Sequence, residues 1–193
     1  MIKKNTVIFG GSFDPIHIGH TSLAAEVLGH GIAEEVWFMV SPQNPHKSSG
    51  SLSSEEHRLN MARLAIEGHD GFIACDFEFS LPRPSYTINT LDALSECYPD
   101  RNFILLIGAD NWNCFGRWHR SGEILGRYGI VVYPRDSEER PELPGNAVWL
   151  PSRLYDVSST MIRDAVSKGC SISEYVAPAV EQYIYENNLY KNL

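Results

Sequence analysis

Thr6-Val7-Ile8-Phe9-Gly10-Gly11-Ser12-Phe13-Asp14-Pro15-Ile16-His17-Ile18-Gly19-His20 opens the readable part of this chain. A short β-branched and aromatic run breaks at paired glycines, passes a proline, and gives way to a helical apolar pattern over residues 18–29. The reading is strand, tight turn, helix. Paired glycines let the backbone turn sharply and come close to a ligand. The first turn of the helix offers unpaired N–H groups and the positive end of its dipole, which favour phosphate. His17 and His20, three apart, fall on one face of that turn.

The pattern repeats along the chain. Val36-Trp37-Phe38-Met39-Val40, Phe72-Ile73-Ala74-Cys75, Phe103-Ile104-Leu105-Leu106-Ile107, Ile130-Val131-Val132-Tyr133 and Ala147-Val148-Trp149-Leu150 read as further strands. They are almost continuously apolar, as strands covered on both faces are. Helical patterns lie between or after them, near 54–67, 87–97, 119–126, 158–167 and 178–187, with Ser53 or Ser54 and Ser158 as caps. This alternation predicts an α/β fold, a Rossmann-like doubly wound parallel sheet in which ligands sit beyond the carboxyl ends of the strands. One domain over 1–193 is expected, with about 155–193 as its C-terminal helical part. Residues 48–51 and 135–141 read as loops.

Composition narrows the function classes. The 193 residues carry 16 Lys and Arg against 24 Asp and Glu, a formal net charge of -8. Such a chain is poorly suited to nucleic acid, where affinity comes from neutralised phosphates. Small phosphorylated ligands need only a local cluster of donors. No apolar run approaches the about 18 residues a membrane helix requires, and the N-terminal run is too short for a signal peptide. The four cysteines form no C-x-x-C pair, so a reducing cytoplasm is expected.

Taken alone, the first motif is open to several readings. A structural turn and a phosphate cradle both fit. Two histidines three apart could begin a metal site, but no third ligand stands at an obvious spacing, and no Gly-Lys-Ser/Thr follows to make a Walker A loop. Four further segments bear on the choice. Ser41-Pro42-Gln43-Asn44-Pro45-His46-Lys47 is kept extended by its prolines and presents adjacent basic groups. Arg83-Pro84-Ser85-Tyr86-Thr87 enters a helix with Thr87 as its cap, and exposed amides there suit an anion. Gly108-Ala109-Asp110 puts a carboxylate after a buried strand, as ribose-binding sites do. Val157-Ser158-Ser159-Thr160-Met161-Ile162-Arg163 gathers hydroxyls, amides and an arginine at a helix start, a polydentate phosphate site or an ordinary capped helix.

The eleven residues Gly10 to His20 resemble the H-x-G-H signature of the nucleotidylyltransferase superfamily, with the G-G-S-F-D-P flank of bacterial nicotinate-nucleotide adenylyltransferases. The resemblance extends to the N-P-H-K, S-Y-T, G-A-D and S-S-T-x-I-R segments, and runs from Thr6 to Tyr190. It implies transfer of AMP from ATP to nicotinate mononucleotide, giving deamido-NAD and pyrophosphate. It also implies roles: His17, His20, Lys47 and Arg163 in catalysis, and Gly10, Gly11, Ser12, Phe13, His46, Asp110, Ser158, Ser159 and Thr160 with those four around ATP. Ser12, Phe13, Asn44, Tyr86, Thr87, Trp118 and His119 would hold the acceptor, Trp118 stacking on its ring, with Trp112 as competitor. Mg²⁺ would travel with ATP rather than in a protein cage. The chain departs from its relatives at Tyr133-Pro134-Arg135, where they carry Arg-Pro, and at Asn113-Cys114-Phe115, so Arg135 receives no role. A sibling acting on nicotinamide mononucleotide or phosphopantetheine and a non-catalytic nucleotide sensor stay open, as does homo-oligomer formation.

Overall fold

A computed structural model describes residues 2–42, 52–135 and 140–191 of the chain. Six parallel strands form one sheet in the order β3-β2-β1-β4-β5-β6. They are β1 (Lys4–Gly11), β2 (Glu35–Val40), β3 (Phe72–Cys75), β4 (Arg101–Gly108), β5 (Gly129–Tyr133) and β6 (Ala147–Trp149). Strand order reverses between β1 and β4. The crevice a doubly wound sheet offers to ligands therefore lies where Gly10-Gly11 and Gly108 end their strands.

The continuous apolar runs are explained by two separate cores. Val7, Phe9, Val36, Phe38, Val40, Leu106 and Val131 face one side. Ile8, Trp37, Met39, Leu105, Ile107, Ile130 and Val132 face the other. Helices α1 (Ile18–Gly29), α2 (Glu55–Ala65), α6 (Ser159–Ser167) and α7 (Pro178–Glu186) supply residues to or lie against the first core, where Ile162, Val166, Val180 and Ile184 pack with the sheet. The second core is closed by α3 (Thr87–Cys97), α4 (Ala109–Cys114) and α5 (Ser121–Arg127). At the amino end of the sheet, the buried Glu35 carboxylate accepts from Thr6 Oγ1 at 2.7 Å and Arg101 Nε at 2.8 Å, and pairs with Lys4 at 2.6 Å. That one carboxylate ties β1, β2 and β4 in register.

Most expected boundaries hold to within a residue or two. Ser54 caps α2 by accepting from His57 N–H at 3.2 Å, and Ser158 caps α6 by accepting from Met161 N–H at 3.1 Å. Three differences have physical causes. The short α4 and the 3₁₀ turns at Phe77–Ser80 and Phe115–Arg117 span too few residues to show a period. α5 begins at Ser121 rather than 119, because Arg120 takes a left-handed backbone with φ 54°. Thr87 is not the cap of α3; it is the first helical residue, and Tyr86 holds the cap position with extended backbone.

Candidate active site

The loop that leaves β1 is shaped from below by its own aromatic ring. Phe13, with φ 48°, turns its side chain under Gly11, where an added Cβ would stand 2.9 Å from a ring carbon. The ring is 1% exposed and meets Phe9, His20 and Phe38 at 5.1–5.7 Å. Only its main chain is free for a ligand. Above Gly10, by contrast, an added Cβ would meet nothing within 4 Å. Backbone approach is open there.

His17 and His20 stand at the start of α1 with stacked rings, centroids 3.7 Å apart. His17 is the cap residue, and its N–H donates to His20 Nδ1 at 3.2 Å. Because Nδ1 accepts, a neutral His20 carries its proton on Nε2. Burial, then the neighbouring charge of Arg135, lowers the His17 pKa to about 4. Burial, then His17 and Arg135, holds His20 well below the usual value as well. Both imidazoles are therefore neutral at pH 7: they are hydrogen-bonding groups, not cations. Gly19 is required by this packing, since a Cβ there would lie 3.1 Å from His17 Nδ1 and 3.0 Å from Val157 Cγ1.

The second motif docks on the first. Ser159 Oγ donates to the Pro15 carbonyl at 2.9 Å, and Arg163 donates to the Asp14 carbonyl at 2.8 Å and to Thr160 Oγ1 at 3.2 Å. Segments distant in sequence thus meet at one turn. Arg163 does not line the pocket described below; its guanidinium is engaged with the loop. Two further tethers were not anticipated. Arg58, 1% exposed, donates to the carbonyls of Ser12, Ser41, Pro42 and Ser53 at 2.7–3.1 Å. Tyr190 donates to the buried Asp14 carboxylate at 2.6 Å, whose other oxygen accepts from Ser53 N–H at 3.2 Å.

A small pocket, open to solvent, lies beside the stack, lined by Phe9, His17, His20, Tyr133, Arg135 and Arg153 among others. His17 Nδ1 and Ser152 Oγ are buried polar atoms on its wall with no hydrogen-bond partner among the described residues. The wall around Ser152, Arg153 and Tyr155 carries no motif that sequence reading could have caught. Asp110, in the first turn of α4, stands 3.6 Å from Arg135.

Of the residues expected at the acceptor, Tyr86, Thr87, Trp118 and His119 lie outside that pocket's lining. Tyr86 and His119 come together with rings 4.4 Å apart, and Thr87 follows at the helix start. Trp118 and Trp112 both pack on Phe115, at 5.5 Å and 5.2 Å, and both are half-buried. Asn44, His46, Lys47 and residues 48–51 lie outside the described residues, as do 136–139 of the second loop. Among the described residues no three His, Cys, Asp or Glu side chains group as a metal site would need, and no helix is long and apolar enough to cross a membrane.

The cytidylyltransferase-like family model matches residues 8–165, from β1 into α6. A probable nicotinate-nucleotide adenylyltransferase of Bacteroides fragilis is 47% identical over 96% of this chain and 94% of that protein. The chain belongs to this family. A relative of the same description from Bacteroides thetaiotaomicron is 44% identical over 95% of the chain and 92% of its own length. Among solved structures, the nicotinic acid mononucleotide adenylyltransferase of Plasmodium falciparum complexed with NaAD superposes with a TM-score of 0.80, covering 97% of both chains at 22% identity. That likeness extends the agreement to the fold of the whole chain.

Proposed function

We infer that the chain transfers the adenylyl group of ATP to nicotinate mononucleotide, releasing pyrophosphate and forming deamido-NAD. The observation that carries this reading is the pair of neutral, stacked histidines at the first turn of α1, joined to the start of α6 through Pro15 and Asp14. In the reaction a phosphate oxygen of the acceptor attacks the α-phosphorus of ATP. The new O–P bond forms as the bond to the β-phosphate oxygen breaks, and pyrophosphate leaves with the electron pair. The nucleophile is already anionic, so no general base is needed. What remains is to bring two polyanions into line and stabilise the charge that shifts between them.

His20, with its proton on Nε2, is suited to donate to a phosphate oxygen without carrying a charge that would have to be desolvated. The glycine turn and the Ser158 and Thr160 hydroxyls are suited to bind phosphate, Ser159 being held on the Pro15 carbonyl, with His46, Lys47 and Arg163 as the cations expected around it. Tyr86, Thr87, His119 and an indole, Trp118 or Trp112, form the acceptor-side reading, and a flat aromatic acid would fit such a cluster. ATP would enter as its Mg²⁺ complex, in which the ion offsets phosphate charge.

The test is pyrophosphate release by the purified protein with ATP and three acceptors: nicotinate mononucleotide, nicotinamide mononucleotide and phosphopantetheine. Fastest turnover with the nicotinate compound is expected. Faster turnover with either rival would move the chain to a sibling activity, and binding of ATP without release in any mixture would make it a nucleotide sensor.

A further inference from the structure

The pocket beside the histidine stack has a cation that is only loosely held. Tyr133, at the end of β5, pairs with Gly108 at the end of β4, so Arg135 just beyond it reaches back over the carboxyl end of β4. Its stem crosses Gly108 so closely that an added Cβ would stand 2.5 Å from Arg135 Cγ and would also collide with the Asp110 carboxylate. Glycine at 108 leaves room for both side chains. Yet the contact they make is slack: Nε lies 3.6 Å from Asp110 Oδ2, beyond hydrogen-bonding distance, with the two side chains 50% and 48% exposed. An exposed pair of this kind contributes little to stability.

The pocket's own chemistry says what the guanidinium is for. His17 and His20 are neutral, held so in part by Arg135 itself, so charge to balance a phosphate has to come from another group. Arg153 lies on the same wall, but beside the Glu26 carboxylate, which accepts from its main-chain N–H at 3.5 Å and from Tyr155 at 2.7 Å. Arg135 carries a planar fork of donors matched to phosphate oxygens. It stands on the pocket wall between the Tyr133 hydroxyl and the Asp110 carboxylate, and the half-exposed Asp110 pair can be left at small cost.

We propose that Arg135 is a phosphate-binding residue of the nucleotide site, resting against Asp110 and moving onto a phosphate oxygen when ATP binds. The identity of the nucleotide rests on the adenylyl-transfer reading; the binding role does not.

Calorimetric binding of ATP and of adenosine to wild type and to Arg135→Gln tests this without turnover. The variant is expected to bind ATP about ten- to a hundredfold more weakly, the loss of a charge-assisted contact, while adenosine binding is unchanged. Equal weakening for both ligands, or no weakening for ATP, would overturn the assignment, as would a wild type that does not bind ATP. Arg135→Lys keeps the charge and should recover most of the lost ATP affinity; a lysine variant as weak as the glutamine one would remove charge as the cause. Circular dichroism confirms that each variant is folded, which the half-exposed position favours. If wild type binds ATP but releases no pyrophosphate with nicotinate mononucleotide, the transferase reading fails and this comparison still stands.

Discussion

Adding one methyl group at Gly19 should separate catalysis from folding. In Gly19→Ala the new Cβ would lie 3.0 Å from Val157 Cγ1, 3.1 Å from His17 Nδ1 and 3.2 Å from His17 Cε1. Ordinary carbon contacts are about 3.5–4.0 Å, so the imidazole must retreat by roughly half an ångström or the helix must move off α6. Overpacking costs about 1–3 kcal/mol. Against that, alanine gains up to about 1 kcal/mol over glycine inside a helix, and Gly19 sits in the first turn of α1. Net stability should therefore fall by at most about 3 kcal/mol, and the variant should fold. The His17–His20 stack cannot absorb the shift so easily, because His20 is wedged against Phe9 and Phe13 and bonded to the His17 N–H. Misplacement on the scale of 1 Å can cost about a hundredfold in rate, so kcat should drop by about ten- to a hundredfold. The assay is pyrophosphate release at saturating ATP and nicotinate mononucleotide, with the thermal midpoint measured alongside. A folded Gly19→Ala protein whose kcat stays within about twofold of wild type would refute the claim that ring placement matters to the rate.

Three other outcomes follow from the same geometry. Arg58→Met should destabilise the protein by about 3 kcal/mol, because the buried carbonyl of Pro42 and the part-buried ones of Ser12, Ser41 and Ser53 lose their donor; a urea midpoint equal to that of wild type would show those bonds to be replaceable. The His17 pKa is lowered from 6.5 to about 4 by burial and by Arg135, so between those values the unfolded chain binds more protons than the folded one. The stability this imidazole provides is complete above pH 6.5 and is lost as pH falls toward 4, by about 2 kcal/mol at pH 5. Urea titrations at pH 7.5 and 5 should show that loss in wild type and less of it in His17→Asn; parallel behaviour of the two proteins would count against a buried neutral His17. Trp118→Ala should raise the acceptor KM about tenfold, the loss of a stacked ring and its buried area, and leave that for ATP unchanged. An unaltered acceptor KM would pass the stacking role to Trp112.

The sheet was readable because its strands are buried on both faces. Val7 and Ile8 fall into different cores, as do Val36 and Trp37, so no polar residue interrupts the runs. The first turn of α1 was readable for a different reason. Gly10, Gly11, His17, Gly19 and His20 each meet a local demand, for an open approach, for ring contact or for close packing, that few residue types satisfy. Position after a strand then fixed where that turn had to lie. Tyr86 and His119 meet although they come from different loops, and the half-burial of Trp118 belongs to packing on Phe115; no spacing in the chain announces either contact.

What the sequence concealed has a common cause. Arg58, Arg163, Ser159 and Tyr190 all converge on residues 12–15, from α2, α6 and the chain's end. Apart from the Asp14 carboxylate that Tyr190 meets, their acceptors there are main-chain carbonyls, and a carbonyl has no residue type. The donor therefore looks like a surface arginine or a capping serine, and nothing at the other end marks the partner. Arg135 was hidden in a similar way, because its fit depends on the missing Cβ of Gly108 as much as on its own charge. The consequence is that the turn carrying His17 and His20 is not positioned by its own sequence. It is clamped by donors from three other elements, so substitutions far from the histidines, at Arg58 above all, should act on the turn that holds them. A variant such as Arg58→Lys, which keeps the charge but not the planar fork, would lower turnover more than its modest change in stability implies. Turnover falling only in proportion to the unfolded fraction would reduce the clamp to a purely structural bond.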